Sequence, residues 1–354
     1  MSSNPSAAGD LRVSPVLSSA ALAQAIRAED FSACAATVIG YGGMGAQYVK
    51  ALRILGVKRI RVCSRSEARL QPLRGMDGVE LMAGGFERMA RQGRPGELGI
   101  VAVPIDRLVE ATEHLVSLGY RRLLIEKPVS LWSGAIERLT ESLERAGAEA
   151  WCAYNRVAYP ALQEVRALAA QEGGITSCTY TFTEFIKPDW PQLFTAEELA
   201  RWGIANSLHV MSMAHALIGM PAQWHGHRGG TAVSWHPTGS VFVGSGVSEH
   251  GIPFAYHADW GSTGRWSVEV HTSVSSYRHG PLEQVLRRRA PLAEWEAMPV
   301  VAVDPTVKVG FVEQTASALE ARVRAAVPLV SLRQAAALAR FAESLFGYPT
   351  NGHA

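Results

Sequence analysis

Cysteine is scarce and scattered in this sequence. Cys34, Cys63, Cys152 and Cys178 stand far apart, with no CxxC pair and no metal-ligand spacing. That argues against a disulfide-stapled scaffold or a zinc site and points to free thiols in a reducing compartment. No run of about 18 apolar residues occurs, so no membrane span is expected. An excess of one charge is missing too: 34 Lys and Arg stand against 32 Asp and Glu, a formal net charge of +2. A nucleic-acid partner needs a concentrated basic face. The best candidate, Arg287-Arg288-Arg289, reads as a solvated helix end or loop. GxSxG, HExxH and the P-loop Gly-Lys-Ser/Thr are all absent, so those chemistries find no support. Met1 to Asp10 is small and polar, without the basic start and apolar stretch of a secretory signal. A cytoplasmic protein with a short flexible start, residues 1–16, is expected.

What is present is a globular composition, 47% hydrophobic and 19% charged, over 354 residues. That length suffices for two domains. After a helical stretch from Leu17 to Asp30, the apolar run Ala33–Ile39 reads as a buried parallel strand. Gly45–Leu55 has helical spacing, and Val57–Cys63 alternates as a second strand. Further strands are expected at Leu98–Val103, Arg121–Ile125 and Ala150–Tyr154, with helices at Arg107–Leu118 and Ile136–Ala146. The alternation implies an α/β fold, an N-terminal Rossmann doubly wound parallel sheet over residues 1–155. Beyond Arg156 the rhythm changes. A helix over Tyr159–Ala170, a long strand over Ile175–Ile186 and a helix over Ala205–Ile218 precede β segments at Gln223–Arg228, Ser240–Val247, Phe254–Trp260 and Arg265–Thr272. Helices over Val309–Arg324 and Leu332–Phe346 close the chain. Residues 156–354 therefore read as a second α/β domain with a large, mainly antiparallel open sheet, its last helix able to pack back on the first domain.

The turn Gly40-Tyr41-Gly42-Gly43-Met44-Gly45 carries chemistry. The first glycine allows the tight turn, the second lets backbone approach a pyrophosphate, and the third lets helix and strand pack closely. A helix N-terminus there offers free N–H groups to phosphate. The strand–helix–strand context makes Gly40, Gly42, Gly43, Met44 and Gly45 a dinucleotide site. The second strand ends in Cys63-Ser64-Arg65-Ser66. No acidic residue is there to hold a ribose 2′-hydroxyl. Ser64 and Arg65 suit a 2′-phosphate, so NADP is favoured, with NAD possible. Glu126-Lys127-Pro128 falls at the carboxyl end of a parallel strand, the edge where ligands bind in open α/β sheets. Burial and a positive nicotinamide would lower the Lys127 pKa, as proton transfer near neutrality requires.

Together the GxGxxG turn, Val101-Ala102-Val103-Pro104, Glu126-Lys127-Pro128, Tyr154-Asn155-Arg156 and the helix bearing His209 with Gly219 ten residues on resemble the glucose-fructose oxidoreductase / inositol dehydrogenase / MocA (Gfo/Idh/MocA) family, from about Cys34 onward. The resemblance implies an NAD(P)-dependent oxidoreductase with substrate between two domains and a homo-oligomer formed through the C-terminal sheet. It implies hydride transfer on a carbohydrate-like substrate: a sugar, a sugar nucleotide or a polyol or keto compound. Lys127 and His209 would flank the reacting carbon, His209 carrying the proton with Lys127 as electrostatic partner, or the two sharing the role. Pro104, Glu126 and Lys127 would lie at the cofactor, and Asn206 and Arg156 at the substrate. Many dehydrogenases of the family carry an Asp four residues before this His; here Ala205 stands there, and Ser212 replaces another common Asp. A histidine without a carboxylate partner is less basic. That motivates two alternatives, an imine reductase or redox-neutral lyase, and a non-enzymatic cofactor-binding sensor. No metal is expected: His225-x-His227, with His236 nearby, reads as interfacial or surface histidines on a sheet face. Glu184, Lys187 and Asp189-Trp190, at the end of the first long strand, suit a sugar entering the cleft.

Overall fold

Residues 16–90, 93, 94 and 96–350 are described by the structure, a computed structural model. The expected flexible start lies, except for Val16, outside them. Every residue of β1 (Ala35–Ile39) is buried, as a strand covered on both faces must be. It runs into α2 (Gly43–Ile54), which follows α1 (Ser19–Ala28), and then into β2 (Arg59–Ser64), β3 (Val79–Ala83) and β4 (Leu98–Val101). Next come α3 (Leu108–Ser117), β5 (Arg122–Glu126), α4 (Ser133–Arg145) and β6 (Glu149–Ala153). The spatial order is β3-β2-β1-β4-β5-β6, all parallel. The order reverses between β1 and β4, which opens a crevice at their carboxyl ends. The strand β3 was not anticipated. It sits at the sheet edge, half exposed, and lacks the apolar run that marks a buried strand.

The second half starts with α5 (Pro160–Gln171) and β7 (Ser177–Phe182), followed by α6 (Leu208–Ile218). Strands β8 (Pro221–Gly229), β9 (Val241–Ser248), β10 (Pro253–Asp259), β11 (Trp266–His271), β12 (Ser276–His279), β13 (Leu286–Arg288) and β14 (Glu296–Ala297) complete an eight-stranded sheet ordered β14-β13-β12-β11-β7-β10-β9-β8. Every pairing in it is antiparallel except β7 with β10. One face packs under α6 through Tyr180, Phe254 and His215. The chain then adds α7 (Phe311–Leu319), whose Phe311 ring lies 4.8 Å from that of Tyr48 on α2. A short β15 (Val330–Ser331) joins the first sheet antiparallel to β6, and α8 (Leu332–Phe346) lies against α4.

Four sequence expectations need correction. The strand expected over Ile175–Ile186 stops at Phe182, because Thr183 and Glu184 turn inward to hydrogen-bond Asp259, Asn206 and Ser207. The helix expected over Ala205–Ile218 opens as a π-helical turn, Gly203–Ser207, before α6. The helix expected over Val309–Arg324 breaks at Glu320, whose extended backbone (φ −128°, ψ 125°) ends α7 while its side chain caps the next short helix at Arg322 N. Arg287-Arg288-Arg289 is not a solvated helix end: Arg287 and Arg288 lie on β13, and Arg287 is buried in an ion pair with Glu172.

Candidate functional site

The turn after β1 is built by two glycines under steric compulsion. Gly40 has φ +91°, and a Cβ there would stand 2.3 Å from Ala102 O. A Cβ on Gly45 would stand 1.9 Å from Gly40 O, so only glycine lets α2 pack on the strand. Gly42 and Gly43 are different. A Cβ on Gly43 meets nothing within 4 Å, and one on Gly42 meets only Arg69 Nη1 at 4.0 Å. The space in front of the α2 N-terminus is therefore open, with Gly42 as an N-cap that offers no side-chain acceptor. Free N–H groups facing an open cradle fit a pyrophosphate.

This cradle is one wall of a cleft of about 390 Å³. Gly40, Gly42, Gly43, Met44, Ser64, Arg65, Pro104, Glu126 and Lys127 all line it, while Gly45 packs beneath. Tyr41, Arg69, Phe86, Arg107 and Glu198 line it as well and were not singled out in the sequence. Arg65, just after β2, and Arg69, on the short helix Glu67–Leu70, are exposed. Arg107 is held by Glu87 and Glu110 at 2.6 and 2.8 Å and lies 5.0 Å over the Phe86 ring.

At the inner end of the cleft Glu126 is buried and accepts a hydrogen bond from Tyr48 Oη at 2.8 Å. Burial pushes its carboxyl pKa up. The next peptide, Lys127–Pro128, is cis. Lys127 Nζ donates to Ala205 O at 2.7 Å. Burial, opposed by Glu126 and reinforced by Arg156 and Lys308, brings its pKa down to about 8. Its acceptor belongs to the π-helical turn, a feature that often marks functional sites because it exposes backbone carbonyls.

His209 follows on the first turn of α6. It is 8% exposed, its ring centroid is 6.1 Å from that of Trp266, and its Nδ1 has no hydrogen-bond partner among the described residues. Burial first, then the charges of Lys127, Arg156 and Lys308, hold its pKa well below the usual value, so the ring is neutral.

Beyond Lys127 a second cavity of about 900 Å³ is lined by Arg156, Glu184, Lys187, Trp190, Asn206 and Trp266, among others. Asn206 and Arg156 thus lie together, as expected for a shared pocket; Asp189 does not reach the lining. Glu184 was noted in the sequence only as a polar residue at a strand end. In the structure it is a buried carboxylate that accepts from Ser207 Oγ at 2.6 Å and from Asn206 Nδ2 at 3.0 Å. Burial raises its pKa to about 7. No local pattern betrays it, because β7 and the π-helical turn are separated by more than 20 residues and meet only through folding. The three histidines weighed as a metal group do not converge. His225 and His227 are exposed on β8, whereas His236 is buried and hydrogen-bonded to Gly239 O and Tyr348 Oη. No group of three or more His, Cys, Asp or Glu among the described residues could hold a metal, and no helix among them is long and apolar enough to cross a membrane.

A Rossmann sheet with an open glycine cradle, joined to a second, mainly antiparallel sheet, defines a dinucleotide-binding type of α/β fold. Residues 35–154 match the Gfo/Idh/MocA family model, described as oxidoreductase family, NAD-binding Rossmann fold. These residues are thus similar to the NAD-binding Rossmann domain of that oxidoreductase family. No curated relative matches the sequence. Solved structures share the fold over most of the chain. A putative NADPH-dependent oxidoreductase from Desulfitobacterium hafniense is 15% identical, covering 89% of this chain and 95% of its own, with a TM-score of 0.69. Levoglucosan dehydrogenase in complex with NADH is 13% identical, with coverages of 89% and 96% and a TM-score of 0.68. The WlbA dehydrogenase from Bordetella pertussis, in complex with NADH and UDP-GlcNAcA, is 13% identical, with coverages of 89% and 95% and a TM-score of 0.65.

Proposed function

We propose that this oxidoreductase moves a hydride between NADP(H), or NAD(H), and a carbinol or carbonyl carbon of a sugar, sugar-nucleotide or related polyol substrate, with Lys127 and His209 as its acid–base pair. The observation that carries the reading is the placement of Lys127. Its ammonium stands at the inner end of the glycine-cradled cleft and is tied through Ala205 O to the turn that leads into His209. The relatives bound to NADH and to sugar-type ligands support the substrate class through the shared fold.

The cradle fits the pyrophosphate because its side-chain-free wall, Gly42 and Gly43, faces open space. Arg65 and Arg69 would hold a 2′-phosphate beside Ser64, and no carboxylate replaces them at the end of β2. When bound, nicotinamide supplies the hydride acceptor or donor. In the oxidising direction the hydroxyl proton passes to neutral His209, while Lys127 hydrogen-bonds the same oxygen and stabilises charge as the C=O forms. Lys127, with a pKa near 8, can instead take the proton itself. The alternatives without ordinary dehydrogenation rested on a missing carboxylate near His209. Glu184 holds the turn before His209 through Ser207 and Asn206 but does not bond the ring, so turnover decides among the readings.

Fluorescence titration tests the cofactor. NADPH is expected to bind more tightly than NADH, and Arg65→Ala to weaken NADPH by about ten- to a hundredfold while sparing NADH, the effect of losing a charge-assisted contact. If neither nucleotide binds, the reading is wrong. Lys127→Ala and His209→Ala should each abolish turnover and leave nucleotide affinity nearly intact. Turnover surviving in both would remove the pair from the mechanism.

A further inference from the structure

The second cavity holds a guanidinium with nothing to pair with. Nε and Nη1 of Arg156 are buried and have no hydrogen-bond partner among the described residues. Arg156 lies between two aromatic rings, 5.0 Å from the centroid of Trp266 and 6.0 Å from that of Tyr159. Burying a cation without an acceptor costs several kcal/mol, roughly, and native structures keep such groups for a ligand that completes them. The wall's carboxylates reach the charge only through space and make no hydrogen bond to Nε or Nη1. Lys187 and Arg265 add two more cations at the rim, with Arg265 stacked 4.7 Å over Phe185. Of the two carboxylates in the wall, Glu283 accepts from Tyr159 Oη, and Glu184 is taken up by Ser207 and Asn206.

Resting on the oxidoreductase reading above, we propose that the substrate is an anionic, monosaccharide-sized polyol whose oxyanion, a carboxylate or a phosphate ester, pairs with Arg156. Size and position follow from Trp266. Arg156 and His209 lie against the same indole, so an anion on the guanidinium and a carbinol at the His209–Lys127 pair belong to one small molecule. The indole offers an apolar face to C–H groups of the ring or chain, and Asn206 Nδ2, already bonded to Glu184, orients the pocket's polar side. The oxyanion also serves the chemistry. Arg156 is one of the cations that keep the His209 ring unprotonated. An anion bound on that guanidinium cancels its field, so the imidazole becomes a better proton acceptor only when substrate is in place.

The test is binding and turnover with matched probes: D-gluconate and D-glucuronate for the carboxylate, glucose 6-phosphate for the phosphate, and D-glucose and myo-inositol as neutral controls. Calorimetry in the presence of saturating reduced nucleotide should show at least one acid or phosphate binding about ten- to a hundredfold more tightly than the neutral compounds, the range of a charge-assisted hydrogen bond. Which of the two anion classes binds identifies the oxyanion. Arg156→Ala should erase that preference and raise KM far more than it lowers kcat, with nucleotide affinity unchanged. Arg156→Lys should recover part of the preference, since it restores charge without the fork. Equal binding of charged and neutral probes, no binding of any anion, or an unchanged preference in a folded Arg156→Ala variant overturns the proposal. Nucleotide binding is read in the same titrations, so a protein that binds NADPH yet ignores anions refutes this inference alone, and one that binds no nucleotide refutes the reading beneath it.

Discussion

Glu184 shows how a single side chain can connect two parts of a site. Its two oxygens hold Ser207 and Asn206, and thereby the turn whose Ala205 carbonyl receives Lys127 and whose end launches His209. It reaches the proposed acid–base pair only through this turn, so in that reading it is a positioning residue. A misplacement of about 1 Å at a reacting group costs on the order of a hundredfold in rate. Glu184→Gln keeps the shape but turns an amide N–H₂ toward one of two donors. It should lower kcat by about ten- to a hundredfold while changing KM and nucleotide affinity little. The carboxyl also marks stability. Burial raises its folded pKa to about 7 from the ordinary 4.5. Between those values the unfolded chain has released the proton and the folded chain has kept it, so stability from this group is full below pH 4.5 and is lost as pH rises through about 7. Buried His215 and His236, with pKa values brought down to about 4, pull the other way. The difference between wild type and Glu184→Gln, followed by thermal midpoint across that window, isolates the Glu184 part. A constant difference with pH would show that the carboxylate stays ionised.

At the scale of elements, the β1–α2 turn separates packing from binding. Gly43→Ala adds a methyl into open space, so the fold should keep its melting temperature while nucleotide affinity drops by tenfold or more, roughly, as the cradle loses room and N–H access. Gly45→Ala drives a methyl to within 1.9 Å of Gly40 O and should lose both stability and affinity. Melting curves beside NADPH titrations read the two effects apart; if Gly43→Ala binds as wild type, the phosphates do not sit there. This turn was legible from residues alone because each glycine answers a local need. So was α8, with capping residues Ser331 and Gln334 at its start and Gly347 in a left-handed conformation at its end. Elements decided by distant partners were not. Strands β12 and β13, SYRH and LRR, look like polar loop, yet Tyr277 and His279 face the core and Arg287 is buried against Glu172 on the far end of α5. Glu184, which holds the turn before His209, escaped for the same reason: it arrives from the segment after β7.

Over the whole molecule, a buried ion pair joins the run before the π-helical turn to the last helix. Arg201 Nη2 meets Glu343 Oε1 at 2.6 Å, with the side chains 4% and 0% exposed. Arg201 also donates to Leu131 O and Pro349 O and lies 3.7 Å from the centroid of Trp132. Glu343 accepts from Ser133 N and Oγ at the start of α4. One guanidinium and one carboxylate therefore join the segment after β5, the run into the π-helical turn, α8 and the chain's final described residues. The same segment begins at Lys127, so this cluster links the Lys127 side of the cleft to the run that leads to His209. Removing one partner of such a pair leaves a buried charge and costs about 3–5 kcal/mol, whereas replacing both by apolar groups of similar size is often close to neutral. Arg201→Met should therefore lower the unfolding free energy in urea by about that amount. The double variant Arg201→Met/Glu343→Leu should recover much of it, short of the hydrogen bonds that Ser133 loses. If the cluster only stabilises the fold, the double variant also recovers turnover. If it sets the angle between the two halves, turnover stays low in a protein whose stability has returned, and the loss appears in kcat with nucleotide affinity intact. A single variant costing less than about 1 kcal/mol, the worth of an exposed pair, would show that water reaches the joint.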